Sequence, residues 1–193
     1  MKKPLTAIAI AVTMFSLGSL GVASAAPLVP ANPQVNRAAN PMETLSFLGM
    51  ANVAVSEVRA VYPDAELLEA QGRSSAGSTD DVTKVTDWRF IFRLSGNRHA
   101  TVDSTGWGTF SDPIVIDRPW LGDQKITWTP EEFLDIRAAD ERLKNAGYTG
   151  DYKSVTLRKP LYPGIDEPYY IFNFADGGHI AVGLADGAVV QFH

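Results

Sequence analysis

Hydrophobic positions along this chain change period twice, and the changes mark its predicted elements. Leu45, Leu48, Ala51, Val55, Val58 and Val61/Tyr62 recur at three- and four-residue steps after Pro41, the spacing of one buried helix face. Pro63 stops that helix, because the residue before a proline disfavours helical backbone. Period two follows. "AELLEAQG" (65–72) has a short apolar centre, and "DWRFIFRL" (87–94) puts Trp88, Phe90 and Phe92 on one face. The polar "SSAGSTDDVTK" (74–84) between them reads as a mobile hairpin or loop, and "SGN" (95–97) turns the chain into a strand at "HATVDS" (99–104).

The same alternation then returns. Thr129-Pro130-Glu131-Glu132 combines a capping threonine, proline at the first helical position and glutamate in the first turn, which predicts a helix start there. Phe133, Ile136, Ala139/Asp140 and Leu143 mark its buried face, and Gly147 is its stop. "YKSVTLRKP" (152–160) reads as a strand, "PLYPGIDEP" (160–168) as a proline-rich loop, and "YYIFNF" (169–174) places Tyr170, Phe172 and Phe174 on one face. After the turn "ADGG" come the strands "HIAVGLA" (179–185) and "VVQF" (189–192), separated by "DGA". His99 and His179 fall at corresponding places behind the two aromatic strands. A repeat of about eighty residues is too long for a solenoid and suits two small units. The expected fold class is therefore α+β: two repeated units, each one helix packed on an antiparallel sheet. The first spans 41–128, including a link (108–128) with a strand around Ile114–Ile116, and the second spans 129–193.

The N-terminus changes the setting of that fold. Lys2 and Lys3, the apolar run "LTAIAIAVTMFSLGSLGVA" and "ASA" at 23–25 form the pattern of a cleaved signal peptide over residues 1–25. Residues 26–40, "APLVPANPQVNRAAN", read as a flexible leader. The protein is thus expected to be secreted or held in the cell envelope, with no membrane span once the signal is removed. The formal net charge is −5, and loss of two lysines with the signal makes it more acidic, which argues against nucleic acid as a partner. With no cysteine in the chain, thiol catalysis, cysteine-ligated zinc and disulfides are all excluded.

The run "VRAVYPDAELLEA" (58–70), the strand "WRFIF" (88–92) and "ATVDSTG" (100–106) together resemble a PepSY-like module, and "RLKNAGYTGDYKSVTL" (142–157) with "YYIFNFADGGHIAVGLADGAVV" (169–190) resembles a second copy. The resemblance implies cystatin-like units of one helix on an antiparallel sheet, as in exported bacterial proteins. Two such units in tandem are also similar in layout to the β-lactamase inhibitor protein family, whose paired sheets clamp a hydrolase. That family's disulfides have no counterpart in a chain without cysteine.

No residue is assigned to catalysis, to a metal or to a cofactor. There is no G-x-S-x-G elbow, His99 and His179 belong to different units, and no H-x-x-x-H spacing supplies a second ligand. Asp80-Asp81 lacks the calcium-loop spacing, and Glu131-Glu132 is explained by helix capping. What the repeat does not absorb is aromatic: Trp107, Trp120, Tyr162 and Tyr169 lie in or beside loops, where such residues anchor protein interfaces. The expectation is a secreted, non-catalytic binding protein that inhibits an exported peptidase or other hydrolase through the free sheet faces and the loops 73–84, 107–123 and 160–168. The alternative is an envelope module binding haem or a small apolar ligand between helix and sheet.

Overall fold

The first described helix begins where Ser46 supplies a side-chain acceptor: its Oγ takes the Gly49 amide at 3.0 Å. The computed structural model describes residues 45–128 and 132–191. The signal at 1–25, the leader at 26–40 and the helix-start residues 129–131 lie outside the described residues. Helix α1 (Phe47–Val61) buries Phe47, Leu48, Met50, Ala51, Ala54 and Val58. This face is turned from the predicted one: Val55 and Leu45 are half-buried, and Val61 is exposed. The cause is Phe47, whose ring lies 4.4 Å from that of Trp88 and 5.8 Å from that of Tyr170. A ring that must fill the space between two aromatic strands sets the rotation of the helix.

Strands β1 (Glu66–Ser74), β2 (Val85–Leu94) and β3 (Arg98–Gly106) follow, then the short β4 (Thr109–Phe110), β5 (Ile114–Ile116) and β6 (Asp123–Gln124). Helix α2 (Ile136–Asn145) precedes β7 (Tyr152–Pro160), β8 (Tyr169–Phe174), β9 (His179–Gly183) and β10 (Val189–Gln191). The fold is α+β. The described strands form one ten-stranded sheet in the order β10-β9-β8-β7-β1-β2-β3-β4, with β5 added on β3 and β6 on β7. Every pairing is antiparallel. At the centre, Glu69 to Arg73 of β1 pair with Arg158 to Ser154 of β7, so both parts of the chain share a continuous sheet.

The two helices cover one face of it. Trp88, Phe90 and Phe92 from β2 and Tyr170, Phe172 and Phe174 from β8 are all buried there, as their period-two spacing predicts, against Ile136, Ala139 and Leu143 of α2 and the buried side of α1. Gly72 is required at its place in β1, because a Cβ there would stand 2.5 Å from the Trp88 ring.

Two predicted features are corrected. Residues 132–135 are not helical, and α2 starts at Ile136 with Asp135 as its cap. The Asp135 carboxylate also accepts the Leu48 amide of α1 at 3.0 Å, so one side chain serves the starts of both helices. The loop 74–84 is pinned rather than mobile. Thr79 and Tyr152 exchange backbone hydrogen bonds of 3.0 and 2.9 Å, and Val82, in the 3-10 turn Val82–Lys84, is buried in the core. Asp135→Ala is expected to lower stability by about 2 kcal/mol, roughly twice the cost of Ser46→Ala, because two helix starts lose an acceptor. Urea denaturation of the two variants checks the ratio; equal costs would contradict the shared cap.

Candidate functional site

With the helices on one face, alternate residues of the strands stand on the other in cross-strand rungs. One rung runs Arg73, Ser154, Asn173, His179. The next runs Arg89, Gln71, Thr156, Ile171, Ala181, Val190, and the third Ile91, Glu69, Arg158, Tyr169, Gly183. A groove of about 810 Å³ lies across these rungs, floored by Glu69, Thr156, Ile171, Asn173, His179 and Gln191 and walled by Tyr162, Pro163, Gly164 and Ile165 of the β7–β8 loop. A smaller cavity of about 260 Å³ continues over β1–β3, lined by Gln71, Arg73, Arg89 and Asp103 among others.

A charged cluster fixes the loops at the edge of this face. The Asp123 carboxylate, almost fully buried, accepts from Arg158 Nε at 2.7 Å and from Trp120 Nε1 at 2.9 Å. Arg93 donates to the Asp123 carbonyl at 3.3 Å. Beside them Glu69, only 4 % exposed, accepts from Gln71 Nε2 at 2.8 Å. Burial raises the Glu69 pKa; the Gln71 hydrogen bond and Arg158 oppose the rise, and the neighbouring Asp123 carboxyl adds to it. The cluster holds the segment 117–125 down on the sheet, and the bridge Asp123↔Pro160 and Gln124↔Lys159 joins that segment to β7. Leu161 N then donates to Gly122 O at 2.8 Å, so the loops around 120 and 162 are joined by backbone hydrogen bonding.

The two histidines have different surroundings. His99 is buried, its ring 5.5 Å from that of Trp120, and its Nδ1 lies 2.7 Å from the Arg118 carbonyl. A carbonyl only accepts, so Nδ1 carries the proton and the imidazole ties the segment after β5 to β3. His179 is exposed on the groove floor, with Nδ1 2.7 Å from Asn173 Oδ1.

The four aromatics singled out from the sequence are spread unevenly. Tyr162 is 71 % exposed at the groove wall. Tyr169 stands half-buried on the same sheet face, its phenol pKa raised by burial and by the nearby Glu167, Asp186 and Asp166 carboxylates. Trp120 is half-buried with its indole N–H committed to Asp123. Trp107 lies apart at the β3–β4 turn, where its Nε1 donates to Leu45 O at 2.7 Å and its ring packs on the core beside α1. Two residues absent from the sequence reasoning join Tyr162: Leu121, 80 % exposed, and Leu161, 67 % exposed. Their signal was an unpaired leucine inside each Pro/Gly-containing loop, "RPWLGD" and "PLYPG". Among the described residues no three His, Cys, Asp or Glu side chains gather as a metal site.

No protein-family model, curated protein or solved structure matches this chain.

The Glu69 shift has a definite sign in stability. Because folding raises this pKa, its favourable contribution is complete below the ordinary carboxylate range and is lost as pH rises through the folded value. Glu69→Gln keeps the hydrogen-bonding shape without the charge. It is expected to melt at a higher temperature than the parent at pH 7 and at the same temperature near pH 4, as read by circular dichroism. A lower melting temperature at pH 7 would contradict the assignment.

Proposed function

We propose that this chain is an exported, non-catalytic binding protein that docks another exported protein, a peptidase or other hydrolase, on the open face of its sheet and restrains it by covering its cleft. The observation that carries the reading is the cluster of Leu121, Leu161 and Tyr162, 80 %, 67 % and 71 % exposed, on two loops joined by a strand bridge. Large apolar side chains in water are costly to maintain unless a partner covers them. Here they stand on a segment already held by the ion pair of buried Asp123 with half-buried Arg158, so docking loses little conformational entropy. Arg93, Asn97 and Arg98, which line one cavity with Leu121 and Leu161, supply the polar rim that an apolar docking patch needs.

The same reading takes the chain as two PepSY-like units, 41–128 and 129–193, behind a signal peptide at 1–25. Its support is that α1, β1, β2, β3 and α2, β7, β8, β9 follow in the same order and meet through their first strands, β1 and β7. No helix among the described residues is long and apolar enough to cross a membrane. The non-catalytic character is supported by the chemistry of the face: its buried carboxyls and His99 are engaged by neighbouring donors and acceptors.

The test is capture of a partner by the immobilised chain from the culture medium of its own organism. A single hydrolase retained at micromolar concentration, with its activity suppressed, is the expected result. Replacing Leu121 and Leu161 by serine and Tyr162 by alanine should weaken capture at least tenfold, about 1.4 kcal/mol or more, with the melting temperature unchanged. Absence of any hydrolase, or capture indifferent to these three residues, would contradict the reading.

A further inference from the structure

The turn between β2 and β3 sets one arginine at the edge of the docking loops. Gly96 and Asn97 both take left-handed backbone, with φ of 73° and 57°, and the Asp64 carboxylate accepts the Ser95 amide at 3.2 Å. Arg98 follows at once. Its Nε donates to the Ser95 carbonyl at 3.2 Å, which holds the guanidinium against the turn and leaves both Nη groups for another acceptor. Among the described residues Arg98 is in no ion pair.

A cavity of about 260 Å³ joins this arginine to the apolar patch, with Arg93, Asn97, Arg98, Trp120, Leu121 and Leu161 among its lining residues. Small-molecule pockets begin at roughly 300 Å³, so the space suits a partner's side chain better than a free ligand. The charges around it are out of balance. Glu66 is shared by Arg93 at 3.1 Å and Lys125 at 3.5 Å, and Asp123 is taken by Arg158 at 2.7 Å. With Asp64 at the turn, four cations (Arg93, Arg98, Lys125 and Arg158) stand against three carboxylates, a surplus of +1 in a chain of net charge −5. The exposed neighbours Asp117 and Arg118 cancel. The charge left over is that of Arg98.

We propose that the segment docked here is acidic: a stretch of the partner in which a large apolar side chain lies beside an aspartate or glutamate. The apolar side chain seats between Leu121 and Leu161, and the carboxylate takes the two free Nη groups of Arg98 as a fork. A basic segment would bury Arg98 without a counter-charge, which costs affinity and excludes such partners. The inference rests on the docking reading above and adds to it the chemistry of the partner's contact segment.

Three short synthetic peptides test it by fluorescence anisotropy with the purified chain. All carry the same central Phe-Leu, flanked by Asp and Glu in one, Ser and Gln in the second, and Lys and Arg in the third. The acidic peptide is expected to bind about tenfold tighter than the basic one, with the advantage shrinking as salt is raised. Arg98→Glu should reverse the preference, a gain for the basic peptide that misfolding could not produce. Leu121→Ser with Leu161→Ser should weaken all three. Equal affinity for the peptides, a preference that survives Arg98→Glu, or no binding at all would overturn the proposal. Docking itself is judged separately by capture: a hydrolase held through Leu121, Leu161 and Tyr162 but indifferent to Arg98→Glu keeps that reading and sinks this one.

Discussion

The rest of this molecule depends on the antiparallel pairing of β1 with β7. Five residues of each strand, Glu69 to Arg73 and Ser154 to Arg158, close what would otherwise be two small sheets, each with an exposed edge ready to pair with another chain. Closure sets both helices on one face, where Phe47 reaches aromatic rings on β2 and β8 and Asp135 serves both helix starts. It also brings into register the outward side chains of strands distant in sequence. The rungs from Arg89 to Val190 and from Ile91 to Gly183 exist because this seam does not slip.

The proposed function rests on the face that the helices leave open. Glu69 and Arg158 are direct partners across the seam, and Asp123 descends on them from the segment after β5. Taking the Glu69 and Asp123 carboxyls out of water is unfavourable unless their hydrogen bonds are met. Gln71, Trp120 and the Arg158 fork meet them, and Glu69 adjusts by holding its proton to higher pH. The return on that cost is rigidity: the loops bearing Leu121, Leu161 and Tyr162 are tied to the sheet, while the groove beside them keeps a fixed wall. The proposed docking patch therefore stands on an edge that the sheet holds in place.

Much of the fold was legible in the sequence because strands announce themselves locally. The alternations Trp88-Phe90-Phe92 and Tyr170-Phe172-Phe174 needed no tertiary knowledge, nor did the stop of α2 near Gly147, whose φ is 94°. The features that escaped were decided by contacts from afar. Asp135 became the cap of α2 and also took the Leu48 amide of α1, a bond between residues 87 apart that no local pattern announces. Loop 74–84 looked polar and free, yet Val82 and the Thr79–Tyr152 bridge anchor it. At the candidate site an indole N–H seeks an acceptor, and those of Trp107 and Trp120 found Leu45 and Asp123, partners that no local pattern announces. Leu121 and Leu161 belong to no periodic pattern, so only their exposure reveals them. The two histidines share a sequence context, but their nitrogens found a carbonyl in one case and an oriented amide in the other.

The central claim is that the open sheet face, with the joined loops at its edge, is the binding face. Hydrogen–deuterium exchange on the chain alone and on the chain with its captured partner tests this most directly. The account predicts new protection over 119–123 and 160–165, with α1 and α2 unchanged. Protection confined to the helical face, with those two loops exchanging as before, would contradict it.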